Sequence, residues 1–123
     1  MPSRTVVQDF VAMIEGGSFL EALSKFYAED MSAQENNEPP RAGRAAQLAN
    51  EQAFLKRVKR FDTIKPMSFL VDGDRVAIHY LMELTTLDGQ HIRLEEIAYQ
   101  LWRGEQIVNE RYFYDPAQRQ PRP

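Results

Sequence analysis

The second half of the chain contains three turn signals, and their spacing constrains the fold more than any other feature. Asp72-Gly73, Asp88-Gly89 and Arg103-Gly104 recur at intervals typical of hairpins, because glycine readily adopts the positive φ angles that tight turns need. They separate four runs that are rich in apolar residues, at 66–71, 75–87, 90–102 and 106–114. Four such runs joined by short turns predict an antiparallel meander.

The first half follows the helical period instead. The first predicted helix has apolar residues at the i, i+3, i+4 and i+7 positions of one face, which are Val7, Phe10, Val11 and Ile14. Residues 18–21, Ser-Phe-Leu-Glu, fit a capping box that would start a second helix. A third helix is predicted from about Gly43 to about Lys59, with Glu51 among its solvated residues.

Helices followed by strands predict an α+β fold in which three N-terminal helices pack on one face of an antiparallel sheet. A short early strand that carries Glu35 is expected before the third helix. The chain has 123 residues, which favours a single domain, predicted at 1–115. Residues 116–123 hold three prolines and no periodic pattern, which predicts a flexible tail.

Composition excludes several classes of protein. The net charge of −3 argues against broad binding to nucleic acids or anionic membranes, which need a basic surface. The chain has no cysteine, and its two histidines, His79 and His91, lack the spacing of a helical metal pair, so no metal site is expected. No run approaches membrane-spanning length and no apolar signal segment follows the N-terminus, so we expect a cytoplasmic protein.

Two acids interrupt the predicted inner face of the sheet. Side chains alternate across a strand, so the numbering assigns them to faces, and the even-numbered face is apolar and aromatic except at Glu96 and Glu110. A carboxylate there is costly unless it is paired or borders a wet cavity. We therefore expect a ligand pocket with one or two acids whose pKa is raised by burial. The alternatives are an acid at a strand end or one paired with Arg41 or Arg111.

Three aromatic residues are candidates for the same pocket. Tyr80 and Tyr112 would be hydrogen-bond donors there, because a buried phenol needs a partner. The alternative for both is to fill the core. Trp102, near the end of a strand, fits either a lid over the pocket or the core.

The segment before the third helix carries the strongest site signal. Glu35 on a strand that is followed by Pro39-Pro40 would aim an acid into a cavity. Arg41 would either clamp a ligand carboxylate or pair with Glu35, which would make that acid a poorer base. Gln34 and Asn36 would orient a water or a carbonyl, or serve only the turn, since Asn readily bonds its own backbone.

The odd-numbered face of the strands is also partly apolar. Ile97, Tyr99 and Leu101 lie there with Leu81 and Phe113, and an apolar outward face suggests a partner surface. A homodimer through the sheet is therefore predicted. The alternative is a monomer with scattered exposed apolar residues.

The order of these segments resembles SnoaL-like proteins of the nuclear-transport-factor-2-like superfamily, the cystatin-like α+β cones. The resemblance rests on Tyr27-Ala-Glu-Asp30 at the end of the second helix, on residues 34–41, Gln-Glu-Asn-Asn-Glu-Pro-Pro-Arg, and on the closing segment 104–115. It covers nearly the whole chain. It implies a curved antiparallel sheet wrapped around helices, an apolar pocket, and dimerisation through the sheet.

The resemblance alone does not assign a reaction. The family includes polyketide cyclases, ketosteroid isomerases and limonene-epoxide hydrolases, as well as binding modules without activity. By position Glu35 matches the general base of ketosteroid isomerases, whereas Phe10 stands where those enzymes have a tyrosine. The acids and the arginine of limonene-epoxide hydrolases are replaced by Tyr80, Met82 and Tyr112.

Together these features predict an isomerase or cyclase that acts on a small apolar carbonyl compound and uses no cofactor or metal. Glu35 is the expected base, Glu96 the second acid and Tyr112 the group that polarises the carbonyl. The residues expected to contact the substrate are Gln34, Asn36, Arg41, Tyr80, Trp102 and Glu110. The alternatives are a ligand-binding module without chemistry and a dimeric interaction protein whose pocket is filled by side chains.

Overall fold

The computed structural model describes residues 1–119 and has the predicted α+β fold. Its elements in chain order are α1 (Arg4–Glu15), α2 (Phe19–Phe26), β1 (Tyr27–Glu35), β2 (Arg41–Ala42), α3 (Arg44–Leu55), β3 (Val58–Asp72), β4 (Arg75–Thr86), β5 (His91–Arg103), β6 (Gln106–Phe113) and a 3-10 helix η1 (Pro116–Arg119). The strands form one sheet in the order β2-β1-β6-β5-β4-β3. Within residues 1–119, every helix is too short or too polar to cross a membrane.

The first helix lies where the sequence predicts it, and the second ends at Phe26, before the predicted Tyr27–Asp30. The Ser3 hydroxyl accepts a hydrogen bond from the Val6 amide at 3.1 Å and caps α1. Gly17, with a φ of 82°, follows the helix in a conformation that glycine adopts freely. The predicted capping box of α2 is wrong: Ser18 has a ψ of 54°, outside the extended region typical of a cap, and its side chain makes no capping hydrogen bond.

Strands β3 to β6 form the predicted antiparallel meander, and β1 makes the sheet mixed. The β1 strand runs parallel to β6, with Ala33 opposite Glu110 and Glu35 opposite Tyr112. It has nine residues, so the early strand is longer than the sequence indicates. This pairing places Glu35 next to the inward residues of β6.

The third helix is shorter than predicted, and the strand after it is longer. The helix α3 ends at Leu55, and β3 begins at Val58 rather than at residue 66. The register of β3 against β4 shifts at three places, and each irregularity interrupts the alternation of side chains. The half-buried Val58, Phe61 and Ile64 are consequently three residues apart, a spacing that resembles a helix.

The helices α1 and α2 pack on the inner face of the sheet. Phe10 and Phe26 lie edge-on to Trp102, with ring centroids 6.2 and 6.0 Å from it, and such contacts stabilise a core beyond their buried area. Val76 and Ile78 of β4 are fully buried, as the alternation of that strand predicts.

The helix η1 returns to the sheet. The Gln118 side chain accepts a hydrogen bond from the Glu95 amide at 2.6 Å and donates one to the Glu95 carbonyl at 3.2 Å. Residues 116–119, which the sequence assigns to a flexible tail, therefore form a short helix in contact with β5. The rest of that predicted tail, 120–123, lies outside the described residues.

Candidate active site

A cavity of about 330 Å³ lies between the three helices and the inner face of the sheet, at the lower end of the range of small-molecule sites. Its apolar wall is formed by Phe10, Ile14, Phe19, Leu23, Phe54, Phe61, Met82 and Leu94. The charged groups that line it are Glu35, Glu38, Arg41, Glu51, Arg57, Glu96, Glu110 and Arg119. Its size argues against the alternative of a pocket filled by side chains.

Glu110 of β6 lies at the centre of a buried hydrogen-bond network. The hydroxyls of Tyr27 and Tyr112 donate to its Oε1 atom, and the Gln100 amide donates to Oε2 at 2.6 Å. The Trp102 indole donates to Gln100 at 2.8 Å. Burial raises the pKa of Glu110, and the three hydrogen bonds oppose that rise. Both carboxyl oxygens are thus satisfied within the protein, and β1, β5 and β6 are linked.

Tyr80 and Glu96 are neighbours on β4 and β5, and both line the cavity. Tyr80 is 4 % exposed, and its buried hydroxyl has no hydrogen-bond partner within residues 1–119. Glu96 is 9 % exposed. Burial, together with the charges of Glu110 and Glu35, raises the pKa of Glu96 to about 8. At neutral pH this pair therefore offers two O–H donors to the cavity.

Glu35 forms the ion pair with Arg41 that the sequence left as one of two alternatives. The Arg41 Nη2 atom lies 2.6 Å from Glu35 Oε2, and Arg119 approaches Oε1 at 3.5 Å. The Arg41 Nε atom also donates to Gln47 at 2.8 Å. Two guanidinium groups therefore face the charge of one carboxylate and fix its position.

Glu51 is a cavity acid that the sequence interpretation placed on the solvated side of the third helix. It is half-buried and lines the cavity from α3. Burial and the charges of Glu110 and Glu35 raise the pKa of Glu51 to about 7, although Arg119 and Arg41 oppose the rise. Its carboxyl group therefore changes its charge in the neutral range.

The polar inner face of α3 explains why Glu51 was missed. Gln47, Glu51 and Phe54 recur at i, i+4 and i+7 and all line the cavity, and Gln47 is only 1 % exposed. Leu48 and Leu55, which are apolar residues of the same helix, are only partly buried. The helical spacing of Gln47, Glu51 and Phe54 was the sequence signal that could have identified this face.

Two further lining residues were also missed. Tyr27 ends the second helix in the sequence interpretation, but it begins β1 and lines the cavity. Arg119 belongs to the predicted tail, yet its guanidinium lies over the rings of Phe54 and Tyr114 at 5.7 and 5.2 Å. No local pattern could have placed Arg119, because its position depends on the return of η1 to the sheet.

Three predicted contact residues do not line the cavity. The Gln34 side chain donates to the Glu38 carbonyl at 3.0 Å. Asn36, with a φ of 47°, shapes the turn after β1 and accepts from the Tyr114 amide at 3.0 Å. Trp102 is 1 % exposed and belongs to the core. Each of these side chains has a polar atom in a hydrogen bond within the protein, and none of them lines the cavity.

The other predicted site residues line the cavity: Glu35, Arg41, Tyr80, Glu96, Glu110 and Tyr112. The described part of the chain contains no group of three or more side chains suited to hold a metal ion. The cavity therefore brings together acids, phenols and an apolar wall. These groups are suited to proton transfer or to ligand binding.

The chain belongs to the SnoaL-like domain family, whose model matches residues 7–110. No curated protein matches the sequence significantly. The match confirms the family that the sequence resembles, and with it the nuclear-transport-factor-2-like fold.

Solved structures are similar over nearly the whole chain. A Mesorhizobium loti protein named as a candidate SnoaL-like polyketide cyclase is 20% identical, with a TM-score of 0.80 over 89% of this chain and 97% of its own. A candidate polyketide cyclase from Xanthomonas campestris pv. campestris is 23% identical, with a TM-score of 0.76 over 90% and 88%. An NTF2-like protein of unknown function from Burkholderia pseudomallei is 13% identical, with a TM-score of 0.78 over 93% and 91%. At these identities the likeness shows the fold.

Proposed function

We propose that the protein catalyses proton transfer at a carbon next to the carbonyl group of a small, largely apolar compound. The observation that supports this most is the unpartnered Tyr80 hydroxyl beside Glu96 in the cavity wall. A buried hydroxyl without a partner is costly, and a substrate carbonyl oxygen would accept from both groups. Donors that meet an oxygen on which negative charge develops lower the barrier to enolate formation.

Glu35 is the proposed base. Its carboxylate lines the cavity, and the contacts with Arg41 and Arg119 fix its position, which favours a productive geometry, although pairing with arginine weakens a carboxylate as a base. Tyr112, the polarising group expected from the sequence, already donates to Glu110. Tyr80 therefore takes that role in the proposed mechanism.

The apolar wall supports a substrate with an aromatic or aliphatic body. Burying such a body supplies binding free energy without specific polar contacts, and the polar groups then orient the carbonyl. The names of the two candidate cyclases among the structural neighbours agree with this reaction type, although their likeness to this chain is one of fold.

The proposal is tested by hydrogen–deuterium exchange in a simple carbonyl probe. The protein is mixed with 4-phenylbutan-2-one in D₂O, and loss of the protons next to the carbonyl is followed by NMR. We expect exchange above the buffer rate, which Tyr80→Phe lowers by about 10²–10³ and Glu35→Gln by about 10²–10⁴. Glu38→Gln is the matched control, because Glu38 is an exposed acid of the cavity rim and its loss leaves the rate unchanged.

The second candidate is a ligand-binding module without chemistry. It is favoured by the 2.6 Å ion pair that occupies Glu35 and by Phe10, which has no hydroxyl where the resemblance implies a tyrosine. A probe that binds in the cavity, detected by NMR saturation transfer, but exchanges no faster than in buffer would support this candidate over catalysis.

We also propose that two copies associate through the outer face of the sheet. Ile97, Tyr99 and Phe113 are 38, 40 and 43 % exposed on that face, and neighbouring exposed apolar groups favour an interface. This is the homodimer that the sequence predicts.

A further inference from the structure

The charges of the cavity are unevenly distributed. Five glutamates and three arginines line it, and the arginines are unevenly shared among the acids. Arg41 and Arg119 both contact Glu35, and Arg57 is exposed. Within residues 1–119, Glu51 and Glu96 have no ion-pair partner, although they line the same cavity.

Glu51 and Glu96 lie on opposite walls. Glu51 projects from α3, whereas Glu96 lies on β5 beside Tyr80. Arg119 already lies over the ring of Phe54, but Phe61 of β3, whose ring centroid is 6.3 Å from that of Phe54, also lines the cavity. A carboxylate and the negative face of an aromatic ring both attract an organic cation, so the part of the cavity around Glu51 is suited to a positively charged group.

The sheet wall is suited to a hydrogen-bond acceptor rather than to a cation. The Tyr80 hydroxyl is buried there without a partner, and a ligand that reaches it must bring a polar atom. This observation is independent of the acids. Together with Glu51 and the apolar wall, it makes the cavity suited to a ligand that has a polar group at each end and an apolar body between them.

We infer that the ligand is a small carbonyl compound that also carries a protonated amine. Its ammonium group pairs with Glu51 on the helix wall, and its carbonyl oxygen accepts from Tyr80 and Glu96 on the sheet wall. The carbonyl end rests on the proposed function, whereas the amine end does not.

The titration of Glu51 fits this assignment. Its pKa is raised to about 7 because the acid is partly buried and lies near Glu110 and Glu35. The charges of Arg119 and Arg41 oppose this rise only in part. An ammonium group that binds beside it favours the ionised form. Binding near neutral pH therefore releases a proton into the solvent.

Two matched probes test the amine end by calorimetry at pH 7.5. Phenethylamine is protonated at this pH, and 2-phenylethanol has nearly the same shape without the charge. We expect phenethylamine to bind about tenfold more tightly, with proton release seen as a dependence of the heat on the buffer. In Glu51→Gln the preference falls to about twofold or less, while in the rim variant Glu38→Gln it stays close to that of the wild type.

The outcomes separate this inference from the proposed function. Equal affinities for the two probes, or a preference that survives in a folded Glu51→Gln protein, overturn the amine assignment. Should Glu51→Gln fail to fold, a wild-type preference that does not grow between about pH 6 and 8 overturns it equally. The proposed function stands in each case if 4-phenylbutan-2-one still exchanges in a Tyr80-dependent way, and it fails separately if that exchange is absent.

Discussion

Two tyrosines on the inner face of the sheet differ in their hydrogen bonding. The Tyr112 hydroxyl donates to the buried Glu110, whereas the Tyr80 hydroxyl has no partner within residues 1–119. A buried hydroxyl without a hydrogen-bond partner lowers the stability of the fold. Such a costly group is typical of a site where a ligand supplies the missing partner. Removing the two hydroxyls should therefore change the free energy of unfolding in opposite directions.

We predict that Tyr80→Phe raises the free energy of unfolding by up to about 1 kcal/mol, because an unsatisfied polar group is removed. Tyr112→Phe should lower it by about 1–3 kcal/mol, because Glu110 loses a donor. Urea unfolding of both variants measures the difference. Equal losses in the two variants would show that Tyr80 already has a partner in solution.

The pH dependence of stability gives a second prediction at this scale. The pKa of Glu96 is about 8 in the folded protein, against a reference value of 4.5. Between these values the folded protein keeps a proton that the unfolded chain has lost, so stability falls as pH rises. The stabilisation is complete below about pH 4.5 and is lost as the pH passes through about 8.

Replacing Glu96 by Gln should flatten this fall. The wild type should lose on the order of several kcal/mol of unfolding free energy between about pH 5 and 8, and Glu96→Gln should lose visibly less. Glu51 and Glu110 shift in the same direction, so part of the slope remains. Urea unfolding across this range is the measurement, and parallel curves for the two proteins would contradict a buried, titrating Glu96.

The sequence predicted the residues whose position depends on alternation alone. Tyr80, Glu96 and Glu110 face inward because a strand has a period of two. Gln34, near the end of β1, and Asn36, in the turn after it, instead bond to backbone groups through their side-chain amides. A side-chain amide next to a turn can bond either to a ligand or to the nearby backbone. Only the three-dimensional position of the chain decides between the two.

At the level of elements, the helix α3 and the strand β3 show where sequence patterns fail. The inner face of α3 borders a cavity instead of a core, so its inward positions include the buried Gln47 and the half-buried Glu51. Irregular pairing in β3 hides its alternation. In α3 burial and hydrophobicity are uncoupled, and in β3 burial does not follow a period of two. A periodicity argument assumes both.

The strands β1, β5 and β6 are linked by the Glu110 network, and Gln100 is its central connector. Gln100→Leu leaves both the Trp102 indole and one Glu110 oxygen without partners in the buried region. We predict a loss of about 2–4 kcal/mol in urea unfolding. Trp102→Phe removes the indole donor, so the double variant should lose less than the two single losses combined. Additive losses would mean that the two side chains do not act through one network.

On the scale of the whole molecule, the inner face of the sheet lines the cavity and the outer face carries exposed apolar side chains. Within residues 1–119, the helices α1 and α2 pack on the inner face. On the outer face, the guanidinium groups of Arg75 and Arg111 lie over the rings of Tyr99 and Phe113 at 5.6 and 4.7 Å. Aromatic rings flanked by arginines are typical of protein interfaces.

The proposed homodimer gives the prediction at this scale. Ile97 lies between His79 on β4 and Phe113 on β6 in the sheet register, so Ile97→Lys places a charge near the middle of the outer face. We expect light scattering after size exclusion to show a dimer for the wild type and a monomer for Ile97→Lys, because a buried unpaired charge opposes association. Leu87→Lys is the control: Leu87 is 66 % exposed in the turn between β4 and β5, so this variant should remain a dimer. A monomeric wild type at micromolar concentration would contradict the proposal, and the apolar residues of the outer face would then be isolated exposed groups.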